Sequence, residues 1–114
     1  MYDETLEKLE VRQRAIDVAV RIHEDLLACR DFGYRNQITD SIPANIAEGA
    51  ERNTRPEFKQ FPGYARGSAG ETRSRLYIGQ RLGYLLKADA EMLLDELRRI
   101  TRMINGLSES LDRS

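Results

Sequence analysis

Apolar residues recur along this chain at three- and four-residue intervals, and no stretch alternates for long enough to read as a strand. The pattern predicts four helices, at about residues 5–30, 34–52, 55–83 and 89–111. In the first, Leu9, Ile16, Ala19, Val20, His23, Leu26 and Leu27 make one stripe, with Asp17, Arg21, Glu24 and Asp25 opposite. Asp17–Arg21 and Arg21–Asp25 have the four-residue spacing of weak ion pairs. The segment "RDFGYRN" breaks this helix and assigns Gly33 the left-handed conformation that often closes one. The fourth helix is the plainest. Its Leu93, Leu97, Ile100, Ile104, Leu107 and Leu111 step by four, three, four, three and four, as in a helix packed along its length at a small crossing angle. Asp89 is placed as its cap. Short connections between long helices make antiparallel neighbours. The expectation is therefore an all-α, up-down-up-down antiparallel four-helix bundle, with residues 1–114 as a single domain.

The two middle helices are less ordinary. The second runs through Pro43, which lacks an N–H and crowds the carbonyl of Thr39, at a cost of ~3 kcal/mol or more. Its apolar stripe is Ile38, Ile42 and Ile46, with Gly49 in line, and directly beside it lies a polar row of Ser41, Asn45, Glu48 and Arg52. Such a row is either a solvated flank or a buried or interfacial hydrogen-bond network, because buried polar groups need partners. The third helix opens at "TRPE", where Thr54 and Glu57 can form a capping box and Pro56 falls in the first turn. Its inward face is Phe58, Phe61, Ala65, Ser68, Ala69, Thr72, Leu76, Gly79 and Gly83, mostly small, with Glu71 and Arg75 beside Ser68. These can supply partners for the polar row. A second apolar patch, Tyr64, Ile78, Leu82 and Leu85, lies more than a third of a turn away, as a subunit contact or as a flank of the core. Pro62-Gly63 predicts a kink or interruption near Phe61.

Charge and composition narrow the chemistry. With 18 basic and 19 acidic residues the net charge is −1, which argues against a dedicated nucleic-acid binder, though a local basic strip is compatible with it. Two arginine groups qualify: Arg66, Arg73 and Arg81 outward on the third helix, and Arg98, Arg99 and Arg102 on the fourth. They read as a soluble face or as phosphate contacts, and no aromatic residue interleaves with them to stack on bases. One histidine, His23, and one cysteine, Cys29, cannot assemble a zinc, haem or di-iron site, and Cys29 reads as a small core residue. There is no phosphate-binding loop of the G-x-x-x-x-G-K type and no activated serine. No apolar run approaches a membrane span, and "MYDETLEKLE" is no signal peptide, so a cytoplasmic protein without cofactor, membrane or small-molecule substrate is expected.

The stretch "SIPANIAEG", then Phe58, then "YARGSAGE" at residues 64–71, resembles the small bacterial four-helix-bundle proteins encoded in intervening sequences of 23S rRNA genes. The likeness covers about residues 9–111; Asn45, Glu48, Gly49 and Arg52 match its second-helix signature, and Gly67, Ser68 and Glu71 its third. It implies a left-handed bundle assembling as a ring of five identical subunits. It also implies distant kinship to the accessory protein of diversity-generating retroelements, a ring that binds nucleic acid and a reverse transcriptase. The short "RDFGYRN" loop and the Pro62-Gly63 pair depart from the family pattern. Three functional readings follow, in this order: a non-catalytic homo-oligomeric scaffold whose partner is itself or another protein; a ring that binds RNA or DNA through outward arginines; and an enzyme or small-molecule binder using Asn45, Glu48, Arg52 and Glu71 as a polar pocket. In the first, Pro43 bends the second helix so that Asn45 and Glu48 turn toward Ser68 and Glu71.

Overall fold

The computed structural model describes residues 4–41, 45–47 and 55–112, and within them the chain is helical with no strand. Helix α1 covers Glu4–Asp25; α2 covers Phe32–Asn36 and passes into a π-helical turn at Gln37–Ser41. Residues 45–47 are again helical, α3 covers Arg55–Arg81 and α4 covers Lys87–Asp112. At a rise of 1.5 Å per residue the three long helices span roughly 33–40 Å. The molecule measures 46 × 22 × 18 Å, so they run along its long axis.

Ion pairs give the directions. Arg14 meets Glu96 at 3.0 Å and Arg21 meets Asp89 at 3.4 Å. Moving up α1 therefore moves down α4, and the two are antiparallel. Helices α3 and α4 are joined by the short turn at 82–86 and tied by Arg66 Nη1 donating to Asn105 Oδ1 at 3.2 Å, so they too are antiparallel.

Helix α4 buries Leu93, Leu97, Ile100, Ile104 and Leu107 of the positions its spacing predicts, the Leu111 side chain lying outside those described, and starts two residues before Asp89. Asp89 is thus a first-turn acid, favourable at that end of the helix dipole, rather than the cap. Helix α3 contributes Ala65, Ala69, Thr72, Leu76 and the closely packed Gly79. It runs through buried Pro62 as one helix, so of the expected kink or interruption the interruption does not occur.

Helix α1 reverses the sequence reading. Its core stripe is Val11, Ala15, Val18, Ile22 and Leu26, whereas Leu9, Val20 and Leu27 are 53%, 51% and 60% exposed and His23 is exposed too. Of the predicted stripe Leu26 is fully buried and Ile16 and Ala19 partly so. The charged residues explain the reversal. Arg14 and Arg21 flank the inner stripe and cross to acids on α4, so part of the supposed solvent face is the seam itself.

The helix ends also differ from expectation. Helix α1 stops at Asp25 because its last bonds tighten to three-residue spacing, with Leu27 N–H on the Glu24 carbonyl at 3.4 Å and Cys29 N–H on that of Leu26 at 3.0 Å. Gly33 is not a left-handed closing residue but lies inside α2, capped by Asp31, whose carboxylate accepts from Tyr34 N–H at 3.2 Å. Gly83 takes that part at the end of α3, with φ +80°. There Tyr84 N–H reaches the Gly79 carbonyl at 2.8 Å and Gly83 N–H that of Gln80 at 3.1 Å, the paired bonds of a Schellman motif.

Of the expected helix over 34–52, the described residues 34–41 and 45–47 are helical, the first of these stretches changing character along its length. After five α-helical residues the backbone widens into the π turn, which holds buried Ile38 and Thr39, and the Thr39 hydroxyl donates to the Arg35 carbonyl. Ile42, Pro43, Glu48, Gly49 and Arg52 lie outside the described residues.

Candidate interaction surfaces

Three constructions fix the surface of the bundle. The first is the α1–α4 seam. Arg14 bridges Glu10 and Glu96 at 3.3 and 3.0 Å, and Arg21 bridges Asp25 and Asp89 at 3.1 and 3.4 Å. Between them Asp17, Val18, Arg21, Met92, Leu93 and Glu96 line a shallow cleft of about 260 Å³. That is below the usual range of ligand pockets, and its arginine and Glu96 are already engaged with each other's helices.

The second construction locks α2 onto α3. Tyr34 donates its hydroxyl to the Arg75 carbonyl at 2.5 Å, and burial pushes its pKa up to about 12. A Cβ at Gly79 would stand 2.1 Å from that oxygen, so only glycine fits there. Tyr84 packs on Tyr34, with ring centroids 5.1 Å apart, and donates to Asp31 Oδ2 at 2.7 Å. This bond, then that from Tyr34 N–H, holds the Asp31 carboxyl below its ordinary value, and the same bond raises the Tyr84 phenol. Cys29 is buried nearby, its thiol 3.8 Å from the Asp31 carbonyl.

The third is the set of outward apolar residues. Leu9 and Val20, with half-buried Ile16, form a stripe along α1 on the side away from its core stripe, and exposed Leu27 follows in the turn beyond its end. Of the predicted second patch, Ile78 on α3 and Leu82 just beyond its end are exposed, as are Phe32 and Leu86. Leu85, predicted with that patch, is instead buried against Gly79, because the Schellman turn folds it inward. The side chain of Tyr64 lies outside those described.

Of the predicted polar row, Asn45 is half-buried beside buried Ile46 and Ala47; Ser68 is half-buried, its carbonyl accepting from the Thr72 hydroxyl at 2.9 Å; and Glu71 is exposed. Among the described residues no hydrogen bond joins Asn45 to Ser68 or Glu71. The Ser41 side chain, Glu48 and Arg52 lie outside the described set. The arginines divide. Arg98 pairs with Asp95, and Arg99 turns to Glu96 at 3.9 Å, on the α1 side of α4. Arg66, Arg73, Arg81 and Arg102 make no ion pair among the described residues. The sequence reading missed Tyr77, which is exposed one turn from both Arg73 and Arg81; its four-residue spacing from each was the available signal.

Comparison with known proteins agrees with this architecture. The family model described as 23S rRNA-intervening sequence protein matches residues 7–106. A crystal structure of a protein of unknown function from the S23 ribosomal protein family of Bacteroides thetaiotaomicron superposes with a TM-score of 0.78. It shares 20% identity, over 95% of this chain and 99% of that one. No curated protein matches the chain.

Proposed function

The chain belongs to the 23S rRNA-intervening sequence protein family, and we propose that it works as a non-catalytic homo-oligomeric scaffold, a left-handed up-down-up-down four-helix bundle that assembles in the cytoplasm. The observation that carries this reading is the second apolar stripe of α1, Leu9 and Val20 with half-buried Ile16, continued by exposed Leu27 in the turn beyond, along a helix whose other face already fills the core. One bundle needs one buried face per helix, and a second apolar line is left for another surface. Exposed Ile78 on α3 and Leu82 just beyond its end give a different face. Two unlike faces suit head-to-tail contacts that close into a ring, and a ring of five is the form the family resemblance implies. In this reading half-buried Asn45 and Ser68, with exposed Glu71, complete their hydrogen bonds at the subunit boundary, and Pro43 sets the direction of the helix that carries the row.

Light scattering on the purified protein tests it. A native mass near five times 13.1 kDa is expected, and a mass of 13.1 kDa at micromolar concentration contradicts it. Pro43→Ala should restore a straight helix and weaken assembly; unchanged mass with a higher melting temperature would remove the role given to the bend.

A second reading is favoured by one observation: Arg66, Arg73 and Arg81 share an outward face of α3 without ion pairs among the described residues, in a chain of net charge −1. These guanidiniums suit phosphate groups, and a ring would repeat the strip around the assembly.

A further inference from the structure

Helix α3 carries Arg66, Arg73, Tyr77 and Arg81 within about a quarter turn of arc at 100° per residue. The contact of Arg66 with Asn105 fixes the level of α4 beside them. Seven residues up α3 from Arg66 is Arg73, and seven down α4 from Asn105 is Arg98, which places these two at the same height. Arg102 falls between the two tiers. Asp95 occupies Arg98, whereas Arg66, Arg73, Arg81 and Arg102 are left with guanidinium donors and no carboxylate partner among the described residues.

Tyr77 is the unusual member. Tyr34 and Tyr84 each have a bonded hydroxyl and a ring partner inside the fold. Tyr77 is 49% exposed and has neither among the described residues. Its ring is half in water, and its place is one turn from a guanidinium on either side.

We infer that this α3–α4 face binds single-stranded nucleic acid, with the arginines on the phosphates and Tyr77 stacking on a base. The inference rests on the second reading above and narrows it. A duplex hides its base faces in its own stack, whereas a single strand offers them to an exposed ring. No acidic side chain of α3 falls within that quarter turn, and the α4 acids beside it are Asp95, held by Arg98; Glu91, held by Lys87 at 4.0 Å; and exposed Glu109 near Asn105. Base identity is not read, because a lone tyrosine face accepts any base.

Fluorescence anisotropy with a labelled oligouridine and with a matched RNA duplex tests the inference, using the intact protein. The oligouridine should bind more tightly than the duplex. With four arginines engaged, its affinity should fall roughly 50-fold between 50 and 200 mM salt. Tyr77→Ala should weaken oligouridine about five-fold or more with the salt slope unchanged, and Tyr77→Phe should restore it. Arg73→Ala should flatten the slope by about 0.7. Equal binding of strand and duplex, or indifference to Tyr77→Ala, overturns this inference while leaving phosphate contact standing. No binding of either probe at 50 mM salt removes both. Circular dichroism checks that each variant keeps its helix content.

Discussion

Helices α1 and α4 lie side by side in one core, yet only one of them advertises its buried face. In α4 every apolar position at the predicted spacing from Leu93 to Leu107 is buried. In α1 the sequence offers two apolar lines, and the one through Leu9 and Val20, continued by Leu27 beyond its end, faces out. Periodicity measures how well residues line up, not which line meets the core. What separates the two lines is charge. Arg14 and Arg21 border the inner line and pair with Glu96 and Asp89, so the charged row marks the neighbour rather than the solvent. The spare apolar line of α1 is the surface that the proposed homo-oligomer would cover.

The comparison can be broken at its strongest point first. Ile22→Ala and Leu97→Ala remove fully buried side chains from the two helices and should each cost about 2–5 kcal/mol in denaturant unfolding. If Ile22→Ala costs less than about 0.5 kcal/mol, the inner line of α1 is misassigned. The glycines come next. Gly79→Ala must displace the Tyr34 hydroxyl and should cost about 1–3 kcal/mol, whereas Gly106→Ala meets nothing within 4 Å on exposed α4 and should stabilise by up to about 1 kcal/mol. A stabilised Gly79→Ala would deny the α2–α3 lock.

The smallest effect belongs to Asp31. Its lowered carboxyl adds stability above the ordinary carboxylate range, and that stability is lost as pH falls through the lowered native value. Tyr84→Phe should therefore lower the melting temperature slightly at neutral pH, with the gap closing in acid. A gap constant down to strong acid would exclude the Tyr84–Asp31 bond as its source. At the other end of the scale, Tyr34 is raised to about 12, so its contribution is full below the ordinary phenol range and declines as pH rises toward that value.

The all-helical class and the long α3 and α4 were legible because their signals are local: a four-three rhythm, a Pro in the first turn, and a Gly where the chain reverses. The inner stripe of α1 was not, since its selection depends on ion pairs to residues more than 65 positions away. The π turn at Gln37–Ser41 was half legible. Pro43 signals an irregular helix, but a π turn over these residues, with Ile38 and Thr39 buried in it, has no local signature. Pro62 shows the same limit from the other side, because a proline that breaks an isolated helix is carried by one with neighbours along its length. At the surface, Ile78 and Leu82 were legible as outward, whereas Leu85 was misplaced because a turn, not helical phase, directs it.

The outer line of α1 is where the account stands most exposed. Val20→Glu puts a charge in the middle of that line, on a residue already half in water, so the subunit fold should keep its helix content and unfold within about 0.5 kcal/mol of the parent chain. Light scattering of this variant beside the unaltered protein is the direct measurement. The account predicts an oligomer for the parent and a 13.1 kDa species for Val20→Glu; an oligomer of undiminished mass in the folded variant would contradict it.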